Sequence, residues 1–95
     1  MPREPNVIYI GRKPAMSYIL AMMTSLTGSD ANEVTLKARG QAITTAVDVA
    51  EITRHSFIKE LNVSKIIIGT EEMPPSEGEN RNRNISTIEI TLTRQ

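Results

Sequence analysis

The sequence predicts an α/β protein, a two-layer α+β sandwich whose elements run in the order βαβαββ. Four short segments have the alternating or β-branched pattern that is typical of strands, and two longer segments have apolar residues at helical spacing. The first strand, the first helix and the second strand follow one another within about 30 residues, which is the length of a βαβ unit with parallel strands and a right-handed crossover. We therefore expect a mixed four-stranded sheet with two helices on one face and a long hairpin arm.

The first strand and the first helix meet at Pro14. Residues 6–10 form a β-branched and aromatic run, which predicts a buried strand after an extended N-terminal arm at residues 1–5. Proline is suited to the first position of a helix, so the helix is expected from there to Leu26. Its apolar residues at helical spacing are Met16, Ile19, Met22, Met23 and Leu26. We interpret the methionines among them as core residues.

A second strand and a second helix follow. Apolar and polar residues alternate from Val34 to Ala38, which predicts a strand, and a helix is expected from about Gln41 to Leu61. Its apolar stripe consists of Ile43, Ala46, Val47, Ala50, Phe57, Ile58 and Leu61. Val49 and Ile52 fall outside the stripe, and this second flank indicates either a subunit contact or ordinary exposed aliphatic side chains. Arg54 falls within the stripe, so its stem should be covered while its charge reaches solvent.

The last two strands are predicted at residues 64–70 and 85–93. Between them, residues 71–84 are polar, contain four glutamates, and are too many for a tight hairpin. Composition leaves two alternatives open for this segment, a projecting hairpin arm and a disordered loop. The pattern shows no domain boundary, so residues 1–95 are expected to form a single domain.

Composition excludes several classes of protein. The chain of 95 residues has no Cys, which removes disulfide frameworks, thiol nucleophiles and cysteine-based metal sites. No apolar stretch has the length of a signal peptide or a membrane span, so we expect a cytoplasmic protein with no membrane contact. Basic and acidic residues balance at 11 each, but residues 5–29 contain two cations and no acid, whereas residues 71–79 contain four acids and no cation. Neutrality is therefore an average over unlike regions.

Enzymatic and metal chemistry find little support in the sequence. His55 is the single histidine, and it follows Asp48 and Glu51 on a polar helix face, where such groups usually form weak surface pairs. The segment from Gly11 to Pro14 lacks the second glycine and the Lys-Ser/Thr pair of a P-loop. We therefore predict no enzyme activity, no metal, no cofactor and no small-molecule substrate.

Basic residues occupy two equivalent strand-to-helix junctions. Arg12 and Lys13 follow the first strand, and Lys37 and Arg39 end the second, in each case just before a helix N-terminus. Because parallel strands end at the same edge of a sheet, we expect the two pairs side by side, at the edge where ligands usually bind. Cationic side chains beside unpaired helix N–H groups are suited to an anion. We interpret the anion as a nucleic-acid backbone, with solubilising surface charge as the alternative for either pair alone.

The arm carries a third basic element. Arg81 and Arg83 alternate with asparagines, a combination suited to a narrow groove because both residue types read minor-groove acceptors and groove width. Further candidates for nucleic-acid contact are Tyr18, Gln41, Asn82 and Asn84. With only two Tyr, one Phe and no Trp, a base-stacking platform for single strands is poorly supplied.

Four segments of the sequence together resemble a known family. They are VIYIGRKPAMSY (residues 7–18), KARGQAI (37–43), AVDVAEI (46–52) and ISTIEI (85–90). Taken together, they resemble the Alba family of small dimeric archaeal chromatin proteins, which also has RNA-binding relatives. The segments come in family order and cover roughly residues 6–93. Together they are highly specific, although any one alone would be weak.

The resemblance implies a dimer whose body lays basic residues on DNA phosphates while two hairpin arms reach toward the minor groove. The residues that match the family's basic positions are Arg12, Lys13, Lys37 and Arg39 in the body and Arg81 and Arg83 in the arm. Phe57 corresponds to an aromatic position used where neighbouring dimers pack along DNA. Gln41 departs from the family pattern, since a further Arg is common there, and the acidic arm is a second departure.

The predicted function is that of an architectural chromatin protein, associated with the chromosome in the cytoplasm. It is expected to bind double-stranded DNA without regard to sequence, and also RNA, as a homodimer that can assemble further along DNA. Acetylation of Lys13 would delete a charge and is expected to loosen binding. Two alternatives stay open: an RNA-processing subunit of the same fold, and a protein–protein scaffold with weak nucleic-acid binding.

Overall fold

The order of the elements is βαβαββ, as predicted. The computed structural model describes residues 6–27, 32–75, 78 and 80–94, so the N-terminal arm predicted at residues 1–5 lies outside the described part. The elements are β1 (Val7–Tyr9), α1 (Ala15–Thr27), β2 (Glu33–Arg39), α2 (Ala42–Ile52), a π-helical turn (Thr53–Phe57), β3 (Leu61–Met73) and β4 (Arg83–Arg94). In the described part of the chain, no helix has the length and apolarity required to cross a bilayer.

The strands form one mixed sheet in the order β1-β2-β4-β3. β1 pairs with β2 in parallel, whereas β4 pairs antiparallel with both β2 and β3. This confirms the four-stranded mixed sheet and the parallel pair expected from the βαβ unit. Consequently the carboxyl ends of β1 and β2 lie at the same edge of the sheet. β3 is a border strand, which means that it is paired with a neighbouring strand on one side only.

The core lies between one face of the sheet and the two helices. Alternate residues of β2 (Val34, Leu36 and Ala38) are buried and stand opposite Leu92, Ile90 and Ile88 of β4. The buried helix residues are Tyr18, Ile19, Met22 and Leu26 of α1 and Ala46, Val49 and Ala50 of α2. Removing a large aliphatic side chain of this kind from water contributes about 1.5–3 kcal/mol. The alternating pattern of β2 therefore decides which face of the sheet the helices cover.

One methionine of α1 lies outside the core. Met22 is fully buried and Met23 is partly buried, but Met16 is 50% exposed. The buried stripe also includes Tyr18, which centres it away from Met16. The interpretation of all three methionines as core residues was thus wrong for Met16, because helical spacing alone does not fix where a stripe is centred.

The second helix ends earlier than predicted. Its α-helical part stops at Ile52, the π-helical turn ends at Phe57, and Ile58 is extended with φ −127° and ψ 95°. Its buried face also lies elsewhere on the helix, since Val47 is 41% exposed while Val49, predicted outside the stripe, is fully buried. The prediction failed because Ile58 and Leu61, which follow the turn and are buried from other elements, continued the apolar pattern of the helix.

The last two strands are longer than predicted and form a hairpin. β3 and β4 remain paired as far as Met73 opposite Arg83, so both ends of the polar segment, residues 71–73 and 83–84, are strand rather than loop. The molecule accordingly measures 48 × 32 × 20 Å along its principal axes. An arm of two paired strands projects from the edge of the sheet.

Candidate nucleic-acid interface

The two basic junctions lie side by side. Tyr9 stands opposite Lys37 in the parallel β1–β2 pair, and the N–H of Ile10 donates to the C=O of Lys37 at 2.8 Å. The junctions therefore leave the sheet together and line one open groove of about 1400 Å³. The predicted site residues that line it are Arg12, Lys13, Lys37, Arg39, Gln41 and Arg83. This groove is larger than a typical small-molecule pocket of about 300–1,000 Å³.

Tyr18 is hydrogen-bonded to the backbone of the first junction. Its hydroxyl oxygen accepts hydrogen bonds from the backbone N–H groups of Gly11, at 2.8 Å, and Lys13, at 3.0 Å. Tyr18 belongs to the first part of α1, where side chains point back toward the helix N-terminus, and only 8% of it is exposed. A Cβ atom at Gly11 would lie 3.4 Å from this hydroxyl, at the short end of ordinary van der Waals contact. The geometry gives Tyr18 a part in shaping the loop that presents Arg12 and Lys13.

The second junction depends on a left-handed glycine. Gly40 has φ +60°, a conformation that costs other L-residues free energy, and its N–H donates to the C=O of Ser86 at 2.9 Å. The turn connects Arg39, the last residue of β2, to α2, which begins at Ala42. Gln41 makes no side-chain capping hydrogen bond, so the first N–H groups of α2 are not capped by it.

Arg39 joins the second junction to the root of the arm. Its Nη1 lies 2.7 Å from Oε1 of Glu71 and 3.6 Å from the sulfur of Met73, both on β3. The side chains of Arg39 and Glu71 are 55% and 49% exposed, so water screens this ion pair. Local sequence patterns do not predict this contact, because the two residues are 32 positions apart.

An aromatic ring forms part of the groove wall. Tyr9 is 65% exposed, and Nζ of Lys37 lies 6.0 Å from its ring centroid, at the outer limit of a cation–π contact. Both residues lie on the sheet face opposite the core, because their neighbours Leu36 and Ala38 point the other way. The groove wall thus contains one flat aromatic ring, that of Tyr9, beside the cation of Lys37.

The arm residues divide between the groove and its surroundings. Arg83 lies at the start of β4 and lines the groove, whereas Arg81, Asn82 and Asn84 are exposed and are not among its lining residues. Two carboxylates, those of Glu71 and Glu89, also line the groove. Glu89 stands opposite Lys37 in the β2–β4 pair and Glu71 lies at the root of the arm, so cations predominate in the groove but acids lie among them.

The polar face of α2 carries a surface ion-pair cluster. Nη1 of Arg54 donates to both carboxylate oxygens of Glu51, at 3.1 and 3.2 Å, and Nε2 of His55 lies 3.3 Å from Oε1 of the same residue. The side chain of Arg54 is 30% exposed, in agreement with a covered stem and an outward charge. Among the described residues, no three acidic or histidine side chains are grouped so that they could hold a metal ion.

An apolar surface is formed by exposed side chains that do not line the groove. Exposed aliphatic residues occupy β3 (Val63, Ile66, Ile67 and Ile68) and α2 (Val47 and Ile52), and Phe57 is exposed at the end of the π-helical turn. Ile66 and Ile68 stand opposite Ile90 and Ile88, so they share the core face of the sheet, yet Ile68 is 77% exposed. These isoleucines lie on a strand, as predicted, but their exposure was not predicted. A continuous apolar run on a border strand is the signal that could have revealed it.

The fold and the groove define a small α+β sandwich with a basic sheet edge and a projecting hairpin, and comparison with known proteins gives its family. The family model described as Alba matches residues 6–70. The DNA/RNA-binding protein Alba of Picrophilus torridus is 46% identical over 91 residues, which cover 96% of this chain and 98% of that protein. The protein of the same name from Thermoplasma acidophilum is 47% identical, with the same shares covered. The chain belongs to the Alba family.

Solved structures agree with this assignment. Alba from Thermoplasma volcanium superposes with a TM-score of 0.83 at 47% identity, covering 94% of this chain and 100% of that chain. ALBA1 from Trypanosoma brucei superposes with a TM-score of 0.74, covering 98% of this chain and 72% of that one. At 24% identity, the second likeness concerns the fold alone. The predicted fold class and the family resemblance are both confirmed.

Proposed function

We propose that this protein binds nucleic acid through the groove at the β1–β2 edge, as an architectural protein that contacts the backbone without regard to sequence. The observation that carries the proposal is the convergence of Arg12, Lys13, Lys37 and Arg39 on one open groove, brought about by the parallel strand pair. The relatives named DNA/RNA-binding protein Alba support the same conclusion. No catalytic role is proposed.

The groove contacts phosphates mainly through side chains. The N–H groups of Gly11 and Lys13 already donate to Tyr18, so at the first junction Arg12 and Lys13 supply the charge. Lysine acts as a mobile point charge and arginine as a two-pronged donor that matches phosphate oxygens. Neither requires a particular base, so binding follows the backbone. Asn82, Asn84, Arg81 and Arg83 extend the contact along the arm toward the minor groove.

A second copy of the chain is the proposed occupant of the apolar surface. β3 is a long border strand whose exposed Ile66 and Ile68 lie on the core face of the sheet, and α2 exposes Val47 and Ile52. Long exposed border strands of this kind tend to associate unless they are covered. A homodimer buries them and doubles the number of basic grooves. Phe57 lies at the end of the π-helical turn and is the proposed contact between neighbouring dimers along DNA.

RNA is the second candidate ligand, and Tyr9 is the observation that favours it. An exposed ring beside Lys37 can stack on an unpaired base, which duplex DNA does not present. Equal affinities for a hairpin RNA with an open loop and for its fully paired form would remove this candidate. Tyr9→Ala is expected to weaken binding of the open-loop RNA and to leave the paired form unchanged.

Salt-dependent binding tests the main proposal. About six phosphate contacts per dimer correspond to a slope of about −5 in a plot of log affinity against log salt concentration. The measurement is fluorescence anisotropy of labelled duplex DNA from low to physiological salt, with light scattering to establish the mass of the protein. If the protein binds no nucleic acid at low salt, the proposal is rejected and a protein–protein scaffold is favoured. A chromosome-associated location in the cytoplasm follows from the proposed ligand.

A further inference from the structure

One cation of the proposed interface already has an anionic partner within the chain. The Nη1–Oε1 distance of 2.7 Å between Arg39 and Glu71 is within the range of a charge-assisted hydrogen bond. Both residues line the groove. A phosphate that contacts Arg39 through the same nitrogen must therefore take the place of a carboxylate.

We propose that Glu71 is an internal competitor for the phosphate at Arg39, so nucleic acid binds the groove less tightly than its cations alone would allow. This inference rests on the proposed function and concerns the regulation of the same groove. An isolated anion at Arg39 gains one contact and loses the ion pair. A nucleic-acid backbone gains contacts with Arg12, Lys13 and Lys37 as well, and these offset the loss.

Strand pairing keeps Glu71 close to Arg39. Glu71 stands opposite Ile85 within the β3–β4 ladder, and the next residues, Glu72 and Met73, pair with Asn84 and Arg83. Arg39 is likewise paired, opposite Thr87 of β4, so the ion pair breaks when either side chain turns away. The sulfur of Met73, 3.6 Å from the same nitrogen, is a second contact that Arg39 loses if its guanidinium moves.

The exposure of the pair limits the size of the effect. Exposed ion pairs of this type are weak, which corresponds to about a two- to fivefold change in an equilibrium constant. Such a contact lowers the affinity for nucleic acid without preventing it from binding. Salt weakens the ion pair too, so the competition is expected to be strongest at low ionic strength.

Two charge-equivalent variants test the inference. Glu71→Gln removes the competing carboxylate, while Glu72→Gln removes the same charge one residue further on, from a side chain that is not among the residues lining the groove. Affinity for a labelled duplex is measured by anisotropy at one low salt concentration. We expect Glu71→Gln to raise duplex affinity about two- to fivefold more than Glu72→Gln does.

A background lacking the arginine isolates the contact. In Arg39→Gln protein, the two glutamate variants should have the same affinity, since no ion pair remains to be broken. Glu71→Asp keeps the charge but shortens the side chain, so it should lie between the wild type and Glu71→Gln. Thermal melts of all variants establish that they are folded, and the aspartate variant serves as the test if the glutamine variant is not.

The outcomes separate this inference from the proposed function. A wild-type protein that does not bind the duplex would reject the function itself. Binding by the wild type with equal effects of Glu71→Gln and Glu72→Gln would overturn only the competition, because net charge would then explain both. Weaker binding by Glu71→Gln would also overturn it, since Glu71 would then orient Arg39 for the ligand.

Discussion

The side chain of Tyr18 lies beneath the backbone of Lys13, with its hydroxyl oxygen 3.0 Å from the amide nitrogen. The same oxygen accepts a second hydrogen bond from Gly11, so one buried side chain sets the path of the loop between β1 and α1. The cations of this junction are exposed, but the backbone that carries them is hydrogen-bonded to a side chain of the core. The first half of the proposed interface is therefore built from inside the protein.

Removing this hydroxyl should weaken both the fold and the binding. Tyr18→Phe leaves two part-buried N–H groups without their acceptor, at a cost of about 0.5–1.5 kcal/mol for each hydrogen bond lost. We expect a lower free energy of unfolding in urea and a reduced affinity for duplex DNA at temperatures where the variant is folded. Thr24→Val is the control, since it removes an exposed hydroxyl group from the same helix at a position that does not line the groove. Unchanged affinity in Tyr18→Phe would show that the loop does not need this support.

Lys13 should contribute to affinity independently of sequence. Lys13→Ala removes one phosphate contact from each protomer, so the log–log salt slope should become less steep by about 2 for a dimer. Lysine acetylated at this position should behave in the same way, because acetylation deletes the charge. Lys59→Ala is a charge-matched control at an exposed turn residue that is not among those lining the groove. Equal slopes for the Lys13→Ala and Lys59→Ala variants would remove Lys13 from the interface.

The exposed face of β3 should determine the oligomeric state. Ile68→Glu places a charge on the apolar surface proposed to be covered by a second copy, and burial of an unpaired charge is unfavourable. We expect light scattering to give the mass of a monomer for this variant. Leu20→Glu on α1, another exposed aliphatic position, should leave the mass unchanged. A dimeric Ile68→Glu protein would place the subunit contact elsewhere.

Gly40 should be sensitive to substitution for backbone reasons alone. A Cβ atom there would meet Ile85 at 3.6 Å, which is ordinary contact, so the cost arises from φ +60°. Gly40→Ala is expected to lower the free energy of unfolding by about 1–2 kcal/mol. Asparagine adopts this conformation more readily, so Gly40→Asn should retain more of the stability. If the two variants have equal stability in urea, backbone strain is not the cause.

Phe57 should affect assembly along DNA more than the binding of one dimer. Phe57→Ala removes an exposed aromatic side chain that lies outside the residues lining the groove, so affinity for a duplex long enough for a single dimer should be unchanged. On longer duplexes, the cooperativity of binding should fall, which a comparison of titrations at several DNA lengths would measure. An equal loss of affinity at every length would place Phe57 in the primary interface instead.

Local patterns predicted most of the fold because each element buries one face of its own. The alternation in residues 34–38 specified the buried face of β2, and the change to helical spacing after Pro14 specified α1. The same reasoning failed at the end of α2, where residues beyond the helix are buried by contacts with other elements. It also failed at Met16, whose spacing fits the helix although its side chain faces outward.

The sequence by itself determined that two basic strand-to-helix junctions belong to one βαβ unit, because right-handed parallel crossovers leave them little freedom to lie apart. Only the tertiary structure decided what these junctions face. Three features depend on where side chains from different elements come to lie. They are the hydrogen bond from Lys13 to Tyr18, the ion pair between Arg39 and Glu71, and the exposure of the isoleucines on β3. The hydrogen-bonded register of β4 between β2 and β3 sets the second and third of these relationships, since it fixes the positions of residues that are remote in the chain.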